Sequence, residues 1–147
     1  MQRRNAVGLA IVVALSVIGF AVYRLQALPG GPQAVAWDRE NCTECHMLIS
    51  DRHFTAQLQT ADGQTRNFDD PACLMKYVER QHPPVHTIYF RDSQSGAWLR
   101  SEETGFVTGH SPMGHGLAAV SNATPGALSY AAALEFMQRA NASPGGL

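Results

Sequence analysis

The sequence predicts an α+β fold, with two small ββαβ-like units packed as one domain with a mainly antiparallel sheet, preceded by an N-terminal transmembrane helix. Two observations favour the α+β class. Short segments alternate apolar and polar residues between turns, and segments with helical spacing of apolar residues interrupt them. A third observation, an uncharged apolar run near the amino terminus, predicts the preceding helix.

The apolar run covers residues 6–23, none of which is charged. A helix of this length spans about 27 Å, close to the thickness of a bilayer core. Arg3 and Arg4 precede the run and should stay cytoplasmic. We therefore expect residues 1–5 to form a cytoplasmic N-terminus and residues 6–25 an anchor in the inner membrane, with the C-terminal domain in the periplasm.

A cleaved signal peptide is the alternative to an anchor. Signal peptides have a shorter apolar core of roughly 7–15 residues and a small-residue cleavage site just after it. The pattern Ala34-Val35-Ala36 lies too far downstream, and Arg24 interrupts the nearer candidate around Ala27. Both interpretations export the rest of the chain.

The charge balance gives no reason to expect a nucleic-acid partner, because 11 basic residues face 12 acidic ones. Three of the arginines precede residue 29, so the exported part has eight basic against twelve acidic residues and a formal charge of −4. The chain has three cysteines, so they cannot all form disulfides with one another in an oxidising compartment. At least one thiol should therefore be free or bound to a metal.

The first unit is predicted to follow a Gly- and Pro-rich linker at residues 26–37, and the folded domain should cover residues 38–140. Residues 53–60 alternate in polarity and predict a half-buried strand. Ala61-Asp62-Gly63 predicts a hairpin turn, and residues 64–68 should form the returning strand.

A helix should follow this hairpin. Asp69 or Asp70 can cap its amino terminus, and Pro71 is tolerated in its first turn. Cys73 lies on the inward stripe, which predicts a buried structural thiol. The helix should end at His82-Pro83-Pro84.

A strand at residues 85–92 should complete the first unit, and the second unit is predicted from three further short segments with strand character, at residues 97–101, 104–109 and 117–120. Residues 110–116 between the last two strands should form a loop. Thr124 and Pro125 should cap a final helix that continues to about Arg139, and residues 141–147 should fray.

The stretch "ENCTECHMLISD", residues 40–51, concentrates side chains that bind metals. Cys42-x-x-Cys45 alone could be a disulfide, a redox pair or half of a zinc site. Met47 does not fit a zinc site, because methionine is a poor ligand for zinc and for hard metals.

A second cluster contains Met113 and His115, two residues apart like Cys45 and Met47. Side chains at i and i+2 point to the same side of an extended backbone. Each pair can therefore present two ligands together, and the pooled set is a thiolate, two thioethers and an imidazole. Soft sulfur ligands of this kind select Cu(I).

These motifs resemble the NosL family, the copper chaperones of nitrous oxide reductase assembly, from C-x-x-C-x-M through "FDDPACL" to "SPMGHGLAAV". The resemblance covers about residues 38–137. It implies that Cys45 and Met47 form the family's C-x-M motif, and that Met113 and His115 form its M-x-H motif. Family members are commonly lipoproteins, whereas this chain has no lipid-attachment cysteine after the apolar run.

Our leading hypothesis is a membrane-tethered periplasmic Cu(I) metallochaperone, not an enzyme, that delivers copper to an exported client such as nitrous oxide reductase. Cys45, Met113 and His115 should bind the metal, Met47 is a possible further ligand, and Cys42 is a nearby thiol that could assist transfer. The alternative is a membrane-anchored thiol–disulfide oxidoreductase that uses Cys42-x-x-Cys45.

Overall fold

The computed structural model describes residues 2–26 and 28–142. Three α-helices, six strands and one short 3₁₀ helix follow one another within this part of the chain. They are α1 (Gln2–Gln26), β1 (Ala56–Thr60), β2 (Thr65–Phe68), α2 (Pro71–Gln81), β3 (Val85–Arg91), β4 (Trp98–Arg100), the 3₁₀ helix (Ser101–Glu103), β5 (Thr104–Thr108), β6 (Leu117–Ser121) and α3 (Tyr130–Ala142).

The strands form two antiparallel sheets, one with the order β2-β1-β3-β4 and one that pairs β5 with β6. The α+β class and the first ββαβ unit are therefore confirmed. The second unit differs from the prediction. Because β4 pairs with β3 in the first sheet, the second unit is β5-β6-α3, and no strand follows α3 in the described residues.

A single core joins the two sheets. The rings of Phe90 on β3 and Phe106 on β5 meet edge to face with their centres 5.1 Å apart, and both are fully buried. Tyr130, the first residue of α3, packs against both rings. Aromatic pairs in this geometry contribute more than their buried area alone, so these residues fasten the second unit to the first.

The prediction that β1 is half-buried is wrong, because β1 lies between two strands and all of its residues are buried. Two of its polar side chains form hydrogen bonds with the segment that precedes the domain. The Gln57 amide accepts a hydrogen bond from the Gln33 N–H (2.7 Å), and the Gln59 amide donates one to the Gly31 carbonyl (2.7 Å). Part of the predicted linker therefore belongs to the folded domain, as the burial of Val35 also indicates.

Helix α2 matches its prediction because its signals are local. The Asp70 carboxylate accepts a hydrogen bond from the Ala72 N–H (2.7 Å), and Pro71 follows the cap. His82 ends the helix in a left-handed conformation with a φ of 45°. The helix buries Leu74 and Met75 completely, which fixes the orientation of its first two turns.

The predicted start of α3 is wrong, because the helix begins at Tyr130. The Ala127 N–H donates to the Thr124 carbonyl, so Thr124 and Pro125 belong to a turn. Leu128 then pairs with Phe106 in an isolated bridge before the helix starts. The predicted frayed tail lies outside the described residues from residue 143 onward.

The apolar run forms helix α1, as predicted. Within the described residues, no helix combines the length and the apolar character that a bilayer crossing requires. The membrane anchor stays a prediction.

Candidate metal centre

Residues 42–47 form a tight loop, which we call the cysteine loop. The Cys42 N–H donates to the Met47 carbonyl (2.8 Å), and the His46 N–H donates to the Cys42 carbonyl (3.0 Å). Cys42 is fully buried, whereas Cys45 is only partly buried. The backbone hydrogen bonds therefore fix both thiols on a short closed turn.

The cysteine loop is also tied to its neighbours in the fold. The Thr43 N–H donates to the Asn67 carbonyl on β2 (2.9 Å). The Glu44 carboxylate forms an ion pair with Arg80 on α2, at 2.7 Å between Nη2 and Oε2. These contacts hold the loop against β2 and against the last turn of α2.

Cys73 completes a cluster with the two cysteines of the loop. It lies in the first turn of α2, where its N–H donates to the Asp70 carbonyl (3.1 Å), and its side chain is buried. The sulfur atoms of Cys42, Cys45 and Cys73 all lie within 4.8 Å of one another. The prediction that Cys73 is a buried structural thiol does not include this arrangement. The odd number of cysteines was the signal for it in the sequence.

The argument that Cys45 and Met47 share one side of an extended backbone is wrong. His46 between them has a φ of 62°, in the left-handed region, which turns the chain and breaks the alternation of side chains. Met47 is 55% exposed. The same correction applies to Met113 and His115, because Gly114 has a φ of 68°.

Residues 109–116 form a second turn, which we call the glycine loop. The Gly109 N–H donates to the Gly116 carbonyl (3.0 Å) and closes the loop. Within it, Met113 packs against the core, and His115 is partly buried. The Lys76 ammonium lies 3.2 Å from Nε2 of the His115 ring.

Helix α2 links the glycine loop to the cysteine cluster. Cys73 and Lys76 are three residues apart, so they are neighbours on one side of the helix. Burial raises the pKa of Asp70, one turn before Cys73, and the nearby Ser111 and His115 partly oppose this rise. The cysteine loop and the glycine loop therefore adjoin the same two turns of α2.

The three thiols are not equivalent in their acidity. A hydrogen bond donated by the Cys73 thiol lowers the pKa of Cys42 to about 5. The same bond raises the pKa of Cys73, because it favours the protonated Cys73. Burial raises the pKa of Cys45, and the charge of Cys42 adds to this effect. The hydrogen bond from Cys73 therefore makes Cys42 the most acidic of the three thiols, with the lowest pKa.

The pKa values of a carboxyl group and an imidazole near the cluster are also shifted. Burial, together with the negative charge of Cys42, raises the pKa of Asp69 to about 6. Burial and the nearby Lys76 charge lower the pKa of His115. His115 is therefore a neutral imidazole at pH 7, the form that binds metals.

An open groove of about 380 Å³ borders the centre. Its walls come from the cysteine loop, α2 and α3, through Glu44, Lys76, Arg80, Leu134 and Met137 among others. Lys76 thus contacts His115 on one side and lines the groove on the other.

The structure is similar to the crystal structure of the copper chaperone NosL from Shewanella denitrificans, with a TM-score of 0.53 and 20% sequence identity over 76% of this chain and 88% of that chain. The fold is NosL-like. This confirms, for the fold, the resemblance predicted from the motifs. No protein-family model matches the chain, and no curated protein matches it.

Proposed function

We propose that this chain is a metallochaperone that carries Cu(I) as its cargo. The observation on which the proposal rests is the cluster of three cysteine sulfurs within 4.8 Å of one another. Cys42 has the lowest pKa of the three thiols, the thiolate is the form of cysteine that binds metals, and soft sulfur ligands favour Cu(I). The NosL-like fold supports the proposal, because the similar protein is itself described as a copper chaperone.

Zinc is the competing metal, since three cysteines and one histidine are a known zinc-binding set. Structural zinc sites take four ligands at once. In this structure three thiols lie together, while both ring nitrogens of His115 lie within 3.4 Å of the Lys76 ammonium. A three-coordinate sulfur site with neighbouring Met113 and His115 suits Cu(I) better than it suits zinc.

A site of low coordination number also suits transfer. A ligand of the client can enter an open position before a ligand of the chaperone leaves, so copper is never free during the exchange. His115 and Met113, on the glycine loop, would then be the ligands that form and release bonds during this step. Met47 is exposed and could contact copper as it enters or leaves.

The proposed client is an exported copper enzyme, and nitrous oxide reductase follows from the family resemblance. The proposed location is the periplasmic side of the inner membrane, with α1 as the anchor. This part rests on the apolar sequence of α1, in which Ile11, Leu15 and Ile18 have exposed fractions of 55%, 63% and 59%. Exposed apolar side chains of this kind need a cover, which a bilayer would supply.

The oxidoreductase alternative is less well supported. Redox pairs of the C-x-x-C type act best at a helix amino terminus, where the dipole stabilises an accessible thiolate. Here Cys42-x-x-Cys45 lies in a turn before β1, and Cys42 is fully buried.

The test is a Cu(I) titration of the reduced full-length chain against a chromophoric Cu(I) chelator, repeated with Zn(II) present. We expect one Cu(I) per chain and no displacement by equimolar Zn(II). Met113→Leu should weaken binding. The matched control is Met137→Leu, because Met137 is a buried methionine outside the two loops. Tight zinc binding without competitive Cu(I) binding would contradict the proposal.

A further inference from the structure

The three cysteines differ in how an external reagent can reach them. Cys42 and Cys73 have exposed fractions of 0% and 1%, whereas Cys45 is partly exposed. A disulfide on another molecule can therefore approach Cys45 alone. Cys45 is the entry point for any exchange reaction at this cluster.

Cys42 and Cys73 form the buried pair of the cluster. A disulfide between these two is shielded from external thiols, whereas one that includes Cys45 stays open to them. Each sulfur also lies within 4.8 Å of the other two. A disulfide has a length of about 2.05 Å, so any two of these sulfurs must move closer before they can bond. This movement is local, because all three sulfurs already lie in one cluster.

We propose that the cluster is a thiol–disulfide relay in which Cys45 accepts a disulfide from outside, Cys42 passes it inward and a buried Cys42–Cys73 disulfide is the final product. This inference rests on the proposed function, because it describes how the same site is closed to copper. The oxidant it requires is a low-molecular-weight or protein disulfide.

The relay has three exchange steps. Cys45 loses its proton, attacks the external disulfide, forms a mixed disulfide and releases the first external thiolate, which takes up a proton. The Cys42 thiolate attacks Sγ of Cys45, forms Cys42–Cys45 and releases the second external thiolate. Cys73, which no longer faces a charged Cys42, then loses its proton, attacks Sγ of Cys42, forms Cys42–Cys73 and returns Cys45, which takes up a proton as a free thiol. In sum, two cysteine thiols lose two electrons and two protons, and the external disulfide becomes two thiols.

The product changes the site in a defined way. Two of the three sulfur donors are lost, and Cys45 remains as the single free sulfur of the cluster. The cysteine loop also becomes covalently joined to α2. The reduced chain would retain copper with three thiols, and the oxidised chain would bind it with one.

The relay is tested on the reduced, metal-free, full-length chain, incubated with oxidised glutathione under anaerobic conditions. Free thiols are alkylated at intervals, and the products are mapped by mass spectrometry after cleavage at glutamate and arginine. Glu44 lies between Cys42 and Cys45, and Arg52 and Arg66 lie between Cys45 and Cys73, so this cleavage places the three cysteines on separate peptides. We expect Cys42–Cys73 as the final linkage, with Cys45 alkylated.

Two variants test the order of the steps. Cys73→Ser should stop at Cys42–Cys45. Cys45→Ser should lose at least 90% of the oxidation rate, a change of about tenfold, because the buried thiols have no accessible partner. Thr43→Ser, in the same loop, is the matched control and should oxidise at the wild-type rate. Circular dichroism checks that each variant folds, and the wild-type mapping does not depend on the variants.

A final Cys42–Cys45 linkage in the wild type, or a Cys45→Ser variant that oxidises at the wild-type rate, would overturn the relay. A Cu(I) competition titration of the mapped, oxidised chain should show an affinity at least about tenfold below that of the reduced chain, and an unchanged affinity would also overturn the inference. If the reduced chain binds no Cu(I), the proposed function fails instead, and the mapping still decides the relay.

Discussion

The cysteine loop and the glycine loop both border α2, but the structure fixes them to different degrees. The cysteine loop is tied to β2 by the Thr43–Asn67 hydrogen bond and to α2 by the Glu44–Arg80 ion pair. The glycine loop is closed mainly on itself, and much of its surface is exposed.

This difference suggests a division of roles. A carrier must bind its cargo specifically and also release it, and one rigid site serves the second task poorly. Firmly placed thiols can select the metal, while ligands on a more loosely attached loop can leave when a client offers its own. The following predictions test this comparison between the two loops.

The largest effect should come from the core beneath the cysteine cluster. Leu74 is fully buried on α2 beside Cys73, so Leu74→Ala should lower the free energy of unfolding by about 2–5 kcal/mol. Pro112→Ala, at an exposed position in the glycine loop, should change it by less than about 0.5 kcal/mol. Urea unfolding of the reduced proteins measures both values. Equal effects would show that the two loops are supported equally.

The buried carboxylate of Asp69, next to the cysteine cluster, should destabilise the folded state at neutral pH. Burial raises the pKa of Asp69 from 3.8 to about 6, so between these values the folded state binds more protons than the unfolded state, and stability falls as the pH rises. Asp69→Asn removes this penalty. The variant should be more stable than wild type by roughly 1–3 kcal/mol at pH 7.5 and gain little at pH 4.

Chemical unfolding at the two pH values measures this effect, and Asp38→Asn at an exposed position is the matched control. A stability gain that is the same at both pH values would show that the carboxylate charge is not its cause.

Copper affinity should separate the ligands from their neighbours. The motif alone predicts that Cys42→Ser retains binding, whereas the three-sulfur cluster predicts that Cys42→Ser, Cys45→Ser and Cys73→Ser each lose at least about tenfold, or about 1.4 kcal/mol. His115→Ala should lose a similar amount. Met47→Leu should change the affinity less than about threefold, because Met47 is exposed. Chelator competition measures all five variants, and normal binding by Cys73→Ser would remove Cys73 from the site.

The smallest effect should come from the backbone of the glycine loop. Gly114 has a φ of 68° with open space around it, so Gly114→Ala costs only the strain of a left-handed alanine, about 1 kcal/mol. Gly109→Ala, where the space is equally open and φ is not in that region, should cost less. Thermal unfolding of the two variants compares them, and equal costs would argue against a fixed left-handed turn at Gly114.

The sequence predicts those features whose causes are local. Asp70 and Pro71 determine where α2 begins, and the Asp-Gly turn pairs β1 with β2. The start of α3 was not predictable in this way, because Thr124 and Pro125 take part in a turn that positions Leu128 against Phe106.

The cysteine cluster depends on contacts between distant parts of the chain. Cys42 and Cys73 meet because the cysteine loop pairs with Asn67 and the helix that contains Cys73 begins just after β2. No local pattern around Cys73 distinguishes a metal-binding thiol from a core residue. The motif predicts Cys42 and Cys45 as candidates, and only the tertiary structure adds the third sulfur.

The two buried glutamines of β1 also limit the distance between the folded domain and helix α1. Gln57 and Gln59 bind Gln33 and Gly31, so only four residues of the sequence, 27–30, separate Gln26 at the end of α1 from the first residue held by the domain. A fully extended segment of this length spans at most about 18 Å. If α1 is the membrane anchor proposed above, the proposed copper site stays within a short distance of the membrane, and a client in that membrane meets it at a high effective concentration.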